Sequence, residues 1–245
     1  MNQSSSTPPV RESLDVPVYR KVGKFLRRLF VYVLPDNCPL CDAPLHNGEH
    51  PLCLNCLAGI PRFRSDSEMV VVGVPGNTIR VKSWFVYHHE DASHRLIHDI
   101  KYHDRCKLAR KLGREFAMQK LMDETAIDVI LPIPLHWTKR LLRGYNQSRE
   151  IARGIRDVTG ISVGKHLYAT RLHGTQTRSN REQRADNVKG TYAVRKGHEL
   201  NGKHVALLDD VITTGSTMSA ALDALMEVAT PASVTFLSLA RTRQL

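Results

Sequence analysis

The feature that most constrains the fold is the run from Val205 to Thr217, which reads VALLDDVITTGST. Its first four residues predict a buried strand ending at Leu208, and a helix is predicted over 216–228. In open α/β sheets, ligands bind beyond the carboxyl ends of the strands. The stretch Thr213–Thr217 presents backbone N–H groups and hydroxyls where that helix begins, at the positive end of its dipole. The run therefore predicts a phosphate-binding loop, in which Gly215 allows close backbone approach.

Two carboxylates, Asp209 and Asp210, directly follow the predicted strand. Alone they would repel a phosphate, but carboxylates accept strong hydrogen bonds from hydroxyl groups. A ligand with both a phosphate and a vicinal diol could bind the loop and the acid pair together, and ribose 5-phosphate is such a ligand. The chain has neither the Gly-Lys-Ser/Thr of a Walker loop nor the glycine spacing of a dinucleotide fingerprint. The alternative is that the acid pair only caps the following helix.

From about residue 69 onward, apolar runs rich in β-formers alternate with helical patterns. The predicted strands are 70–74, 83–87, 129–134, 205–208 and 233–239. The predicted helices are 146–159 and 216–228, and residues 94–122 are predicted to be mostly helical. This alternation predicts an α/β domain over 69–245, in which a parallel sheet carries helices on both faces. Apolar residues make up 42% of the chain, which is enough to bury a sizeable core.

The segment upstream of this domain has a different character. Residues 1–19 are rich in Ser and Pro and predict a disordered tail. Residues 20–34 place apolar side chains at helical spacing and most of their Lys and Arg off that stripe, which predicts a basic amphipathic helix. Two roles are open for this helix: packing on the protein's own core, or anchoring at a membrane surface.

The paired cysteines predict a small zinc ribbon over residues 35–62. Cys38 and Cys41 form one C-x-x-C knuckle, and Cys53 and Cys56 form a second one, with eleven residues between the two knuckles. Four thiolates at this spacing close a tetrahedral zinc site. Because protein ligands fill all four positions, the zinc ion would be structural. A redox role would instead need a thioredoxin-like βαβ setting.

The formal net charge of +11 favours polyanionic partners such as nucleic acid, phosphorylated metabolites or anionic lipid. Phe, Trp and Tyr make up 6% of the chain, which argues against an extended base-stacking platform for single-stranded DNA. The longest apolar run, Leu29–Leu34, is far shorter than the roughly 20 residues of a membrane span. The first residues also lack a secretory pattern, and we therefore expect a cytoplasmic protein.

Five ordered blocks of the chain resemble the ComF family, which includes bacterial proteins linked to competence and DNA utilisation. These blocks are the paired cysteines, Leu131–Leu135, Arg143–Gln147, Arg184–Gly190 and the run from Val205 to Thr217. That last run is also similar to the signature that binds phosphoribosyl pyrophosphate (PRPP) in type I phosphoribosyltransferases. The resemblance covers residues from about 30 to 241.

The resemblance implies a type I phosphoribosyltransferase fold, preceded by a zinc ribbon, with a site for PRPP and Mg²⁺. Asp209 and Asp210 would hold the ribose and stabilise positive charge at its C1 atom. The PRPP-binding residues would be Asp209, Asp210, Val211, Thr213, Thr214, Gly215, Ser216 and Thr217. Cations would face the pyrophosphate from elsewhere in the chain, including a polar hood over 171–190. They would be Lys101, Lys139, Arg140, Arg143, Arg181 and Arg184.

Two functions remain open at this point. One is the transfer of a phosphoribosyl group to an acceptor that the sequence does not identify. The other is a non-catalytic module that senses PRPP or a nucleotide and binds single-stranded DNA through the zinc knuckle and a basic surface. Either would act in DNA uptake or utilisation, where the competence machinery or the membrane surface would be a further partner.

Overall fold

A computed structural model of the chain describes residues 37–45, 51–70, 78–102, 105–121, 127–135, 143–170 and 190–243. Helices in these ranges are α1 (Leu54–Gly59), α2 (Ala92–Tyr102), α3 (Cys106–Lys120), α4 (Gln147–Thr159) and α5 (Ser216–Met226), with a 3₁₀ turn at Gly197–Leu200. Strands are β1 (Ser67–Val70), β2 (Thr78–Val86), β3 (Val129–Pro132), β4 (Ser162–Val163), β5 (Leu167–Ala169), β6 (Tyr192–Val194), β7 (His204–Ile212) and β8 (Ser233–Arg241).

The main sheet runs in the order β1-β2-β8-β7-β3-β4 through the described part of the chain. All its neighbouring strands pair in parallel except β1 and β2, which are antiparallel at one edge. Strands β5 and β6 form a separate antiparallel pair. Parallel neighbours require crossover connections, and α5 supplies the one between β7 and β8. The predicted parallel sheet is therefore confirmed.

Helices cover both faces of this sheet, as the alternation of strands and helices predicts. Side chains of β7 alternate between two hydrophobic clusters, because successive residues of a strand point to opposite faces. Leu208 packs in the cluster that contains Phe116 of α3 and Ile151 of α4. Leu207 packs in the cluster that contains Leu222 of α5.

Strand β7 is longer than its sequence indicates, and the prediction that it ends at Leu208 is wrong. It continues to Ile212, so both acids lie within the strand. The physical reason is its neighbour: β8 runs alongside in parallel, with Asp209 opposite Ser238 and Ile212 opposite Arg241. Main-chain pairing with β8 extends the strand regardless of the polar side chains that interrupt its apolar pattern.

The stretch 94–122, predicted to be mostly helical, forms two helices, α2 and α3. Helix α3 packs closely against α4 through two glycines. A Cβ built on Gly113 would lie 2.2 Å from the carbonyl oxygen of Ile151, and one on Gly154 would lie 2.1 Å from that of Arg110. These glycines therefore set the separation of the two helices.

The cysteine module, defined here as residues 37–45 and 51–63, packs directly onto the α/β core. Cys38, Leu52 and Ile60 belong to the same hydrophobic cluster as Trp84. On the other side of the contact, the Arg241 guanidinium lies 3.9 Å from the centroid of the Phe63 ring. The module is thus built into the fold rather than attached by a free linker.

Several predictions concern residues outside the described ranges: the tail 1–19, the helix 20–34, most of the strand 70–74 and nearly all of the hood 171–190. Across the ranges that are described, no helix has both the length and the apolar character needed to span a bilayer.

Candidate functional site

A cavity of about 230 Å³ opens at the carboxyl ends of β3 and β7. Its described lining residues are Lys101, Ile133, Pro134, Leu135, Arg143, Gln147, Ala169, Thr191, Tyr192, Asp209, Asp210, Val211, Thr213 and Thr217. The carboxyl ends of parallel strands are the place where α/β sheets bind ligands. The acid pair and both ends of the predicted phosphate loop therefore share one cavity.

The two carboxylates of the acid pair are held in different ways. Oδ1 of Asp209 accepts hydrogen bonds from Ser148 Oγ and from the backbone N–H of Asp210, each at 2.9 Å. Oδ1 of Asp210 lies 3.3 Å from Nζ of Lys101. Its second oxygen, Oδ2, is buried and has no hydrogen-bond partner among the described residues. A buried carboxylate oxygen without a donor is costly, so this atom is a ready acceptor for a ligand hydroxyl.

Burial raises the pKa of Asp209 to about 7, and the neighbouring charge of Asp210 adds to this effect. Lys101, the Asp210 N–H group and the Ser148 hydroxyl act in the opposite direction on the same pKa. Burial likewise raises the pKa of Tyr192, with a smaller contribution from Asp209. The cavity is therefore a place where a second negative charge is disfavoured until a cation or hydroxyl donors enter.

The loop between β7 and α5 has the form expected of a phosphate cradle. Gly215 has φ 76°, a left-handed conformation that glycine adopts without strain, and α5 starts at the next residue. Thr214 Oγ1 and Ser216 Oγ lie 3.0 Å apart. The base of the loop is held by Thr242, whose hydroxyl donates to the Thr213 carbonyl at 2.9 Å.

The predicted loop residues divide between two spaces. Val211, Thr213 and Thr217 line the main cavity. Thr214, Gly215 and Ser216 line a small adjoining space of about 30 Å³, enclosed by Val211–Met218. Such a concave array of backbone amides at a helix start is a general form of anion site.

Two of the six predicted pyrophosphate cations are placed by the structure, and both line the cavity. Lys101 pairs with Asp210, as described above. Arg143 lies with its guanidinium carbon 5.1 Å from the centroid of the Tyr102 ring. Lys139, Arg140, Arg181 and Arg184 lie outside the described residues, and their roles stay predictions.

Sequence reasoning missed several residues that shape the cavity. Asn146 and Gln147 are neighbours in the chain but take different roles in the structure. Asn146 caps α4 by accepting from the Arg149 N–H at 3.1 Å. Gln147 lines the cavity, and its buried Oε1 has no hydrogen-bond partner in the part of the chain that the structure describes. Ser148 and Tyr192 carried no signal, because each reaches Asp209 only through the folding of distant segments.

The predicted metal ligands come together in the cysteine module. The Sγ atoms of Cys38, Cys41, Cys53 and Cys56 all lie within 4.8 Å of one another, and those of Cys41 and Cys53 are 3.6 Å apart. Sulfur atoms around a tetrahedral zinc ion at a Zn–S distance of about 2.3 Å are separated by roughly 3.7 Å. The donor set therefore fits zinc, which binds thiolates.

Known proteins are similar to this chain over much of its length. A family model described as "Phosphoribosyl transferase domain" matches residues 107–244. Competence protein F of Haemophilus influenzae is 28% identical over 74% of this chain and 87% of its own length. DNA utilization protein YhgH of Salmonella typhi is 28% identical over 74% of each chain. A solved structure, that of the allosteric regulatory enzyme of purine biosynthesis, is 20% identical over 58% of this chain and 30% of its own, with a TM-score of 0.41.

Proposed function

Since the chain belongs to the phosphoribosyl transferase domain family, and within it to the ComF proteins, we propose that its cavity binds PRPP together with Mg²⁺. In this proposal the bound PRPP donates its phosphoribosyl group to an acceptor during DNA uptake or utilisation. The observation that carries the proposal is the acid pair beside the loop Thr213–Thr217. A site for phosphate alone would not place two carboxylates there.

The ribose hydroxyls account for the two acids. Within the described ranges no donor reaches the buried Oδ2 of Asp210, and a ribose hydroxyl at that position would supply one. Asp209 already accepts from Ser148 and from a backbone N–H, so its second oxygen is the one that faces a ligand. A vicinal diol offers two O–H groups side by side, which matches two adjacent carboxylates.

The 5-phosphate accounts for the loop. Its negative charge would be met by backbone N–H groups of Thr214–Thr217 and by the start of α5. The hydroxyls of Thr213 and Thr217, which line the cavity, add further donors. Gly215 is required here because its φ of 76° is unfavourable for any residue with a Cβ.

The pyrophosphate would lie toward Lys101 and Arg143, the two cations of the described cavity wall. Mg²⁺ would neutralise charge on the pyrophosphate and favour its departure, keeping most of its water ligands. The unpartnered oxygens of Asp210 and Gln147 suit such a hydrated ion, which needs acceptors for its water molecules. Lys101 would then exchange Asp210 for a pyrophosphate oxygen.

In the transfer step, the bond between ribose C1 and a pyrophosphate oxygen breaks, and a bond from C1 to the acceptor forms. Positive charge develops on C1 and the ring oxygen as pyrophosphate leaves with the bonding electron pair. The ionised acids beside the ribose stabilise that charge electrostatically. Ionisation of Asp209 is therefore a requirement of the step, although burial disfavours it in the free protein.

A non-catalytic sensor of PRPP or a nucleotide is the second candidate. Apart from the acids, hydroxyls and cations that suit PRPP, the described cavity wall includes apolar or small residues such as Ile133, Pro134 and Ala169, which offer an acceptor few polar contacts. In this case binding would be linked to another event on the chain, such as contact with single-stranded DNA.

Calorimetry with PRPP and Mg²⁺ tests both candidates at once. We expect binding by the wild type and a loss of at least about 100-fold in affinity in the double variant Asp209→Asn/Asp210→Asn, because two charge-assisted hydrogen bonds are weakened. Asp223→Asn is the matched control, since Asp223 is an exposed aspartate of α5. Absence of binding by the wild type would reject both functions. Pyrophosphate release with a panel of acceptors then separates the enzyme from the sensor.

A further inference from the structure

The short segment of residues 143–146, just before α4, connects three walls of the cavity. Asn146 fixes the segment to two of them. Its Nδ2 donates to the Ile133 carbonyl at the end of β3 at 3.0 Å, and its Oδ1 accepts from the Arg149 N–H of α4 at 3.1 Å. The other contacts of the segment are with the third wall, helix α2. We call residues 143–146 the clamp.

Tyr145 of the clamp caps the end of α2. Its hydroxyl donates to the main-chain carbonyl of Ile100 in the last turn of that helix. Because α2 ends at Tyr102, the carbonyls of this turn have no N–H partner within the helix. The Tyr145 ring packs against the hydrophobic cluster that contains Ile100, which is fully buried. The hydroxyl therefore closes the carboxyl end of α2 from a different part of the chain.

Arg143 of the clamp contacts the same turn of α2 at a second point. Its Nη2 donates to the Tyr102 hydroxyl at 3.4 Å, and its guanidinium carbon lies 5.1 Å from the centroid of that ring. Lys101 lies between the two contacted residues, Ile100 and Tyr102. Its Nζ is 3.3 Å from Oδ1 of Asp210, and 21% of its side chain is exposed. The clamp thus contacts α2 immediately before and immediately after the lysine that faces the acid pair.

We propose that the clamp positions Lys101 for the acid pair and for the pyrophosphate of PRPP, chiefly through the Tyr145 hydroxyl. Tyr145 is not among the described residues that line the cavity, so it is a positioning residue that acts through Lys101. A lysine side chain has many rotamers, and fixing the main chain beside it limits where the ammonium group can reach. The part of the proposal that concerns PRPP rests on the proposed function, whereas the contact between Lys101 and Asp210 does not.

The charges in the cavity make the position of Lys101 important. Asp209 and Asp210 are neighbouring carboxylates, and their charges repel each other. Burial and the charge of Asp210 raise the pKa of Asp209, whereas Lys101 lowers it. When pyrophosphate binds, the same ammonium group would move from Asp210 to a phosphate oxygen. A last turn of α2 that frays would instead let the ammonium group turn into solvent, away from both.

The first test needs no ligand. Tyr145→Phe keeps the ring and removes the hydroxyl, so the chain should stay folded while the last turn of α2 opens more often. The rate at which dilute acetic anhydride acetylates Nζ of Lys101 in the full chain is measured by mass spectrometry. It should rise about fivefold, the change expected from the loss of one hydrogen bond.

Two controls separate this local effect from a general loosening of the fold. Lys120 is the reference within the same chain, because its Nζ donates to the Phe63 carbonyl at 2.7 Å, and its acetylation rate should not change. Tyr168→Phe is the matched variant, since Tyr168 lies on β5, outside the clamp, with its ring centroid 4.5 Å from the Arg195 guanidinium carbon. It should leave the acetylation of Lys101 at the wild-type rate.

The second test is a double-mutant cycle on PRPP affinity, measured by calorimetry with Mg²⁺. Tyr145→Phe should weaken binding about fivefold, and Lys101→Met should weaken it at least about 10-fold, since it removes a charge. Because Tyr145 acts through Lys101, adding Tyr145→Phe to Lys101→Met should cost less than about twofold more. A purely structural role of Tyr145 would give the full loss in both backgrounds.

Three results would overturn the proposal. One is an unchanged acetylation rate of Lys101 in Tyr145→Phe. Another is an equal rise for Lys120, which would indicate a general loosening of the fold. The last is the full loss of PRPP affinity from Tyr145→Phe in the Lys101→Met background. If the wild type binds no PRPP, the proposed function fails, and the acetylation rates alone decide whether the clamp positions Lys101.

Discussion

The cysteine module and the cavity at the strand ends are assembled in opposite ways. The module takes its four ligand atoms from two short knuckles, and all of them lie within 4.8 Å of one another. The cavity takes its walls from α2, the segment after β3, α4, the β5–β6 pair and β7. One site is therefore complete within a stretch of local chain, whereas the other exists only when distant segments are brought together.

This difference changes what each site depends on. A metal ion that binds thiolates contributes its own large free energy to local folding. A cavity between packed segments depends instead on the positions of its supporting helices and on the free energy of the charges that it buries. Removing a ligand should therefore damage the module, whereas changing a remote helix contact should damage the cavity.

The largest effect is expected from removing a metal ligand. Cys41→Ser/Cys53→Ser should abolish binding of one zinc ion per chain and lower the melting temperature by on the order of 10 °C. The loss reaches the whole fold because Leu52 and Ile60 of the module pack in the same cluster as Trp84. Zinc content by elemental analysis and thermal unfolding by circular dichroism measure the two effects.

Cys106→Ser is the matched control for that variant. Cys106 is half-buried at the start of α3 and is not among the four clustered cysteines, so zinc content should stay at the wild-type level. If Cys41→Ser/Cys53→Ser also kept the wild-type zinc content, the zinc ligands would lie elsewhere in the chain.

The two sites also differ in how far the sequence predicts them. Spacing alone identified all four cysteines, because knuckles that close within a few residues leave little freedom. The acid pair and the phosphate loop were also predicted, because they too lie within one short stretch of the chain. Ser148 and Tyr192 were not, since their positions near Asp209 depend on the packing of α4 against β7 and of β6 against α5. The full length of β7 also escaped prediction, because it depends on its neighbour β8.

The second prediction tests the contact between α3 and α4, which supports the cavity but not the zinc site. Gly154→Ala should destabilise the fold by about 3 kcal/mol, because the new Cβ would lie 2.1 Å from the Arg110 carbonyl oxygen and force α3 and α4 apart. Helix α4 carries Ser148 and Gln147, so PRPP affinity should fall while zinc content stays unchanged. Denaturant unfolding, calorimetry and elemental analysis give the three readouts.

Gly59→Ala is the control for the added methyl group. Nothing lies within 4 Å of a Cβ at Gly59, and alanine is the better helix former, so stability should stay equal or rise slightly. If Gly154→Ala were as stable as Gly59→Ala, the close approach of α3 and α4 would not be what positions the cavity.

The third prediction follows from the charge that the cavity buries. The pKa of Asp209 is raised to about 7 in the folded chain, from an ordinary aspartate value of about 4 when unfolded. Between these values the unfolded state loses its proton first, so stability decreases as pH rises from about 4 to 7 and then levels off. Asp209→Asn removes this dependence and should raise stability at pH 8 by about 1 to 3 kcal/mol. Denaturant unfolding at pH 5 and pH 8 measures both changes.

PRPP binding should show the opposite pH dependence, because it uses the ionised carboxylate. Affinity should rise about tenfold from pH 6 to pH 8 and level off above that. The zinc-dependent part of stability has a different origin and should be the same in Asp209→Asn as in the wild type. A PRPP affinity that is flat across this range would mean that Asp209 is ionised in the free protein.

The smallest effect is expected from Ser148→Ala, which removes one hydrogen bond from the cavity wall. Ser148 Oγ donates to Asp209 Oδ1 at 2.9 Å and holds the Asp209 pKa below the value that burial alone would give. Its loss should weaken PRPP binding about fivefold at pH 7, equivalent to about 1 kcal/mol, and move the midpoint of the affinity–pH curve upward. Ser219→Ala, on the exposed side of α5, should leave that curve unchanged. A uniform loss of affinity at every pH would contradict this account, since it would mean that Ser148 contacts the ligand directly instead of tuning the carboxylate.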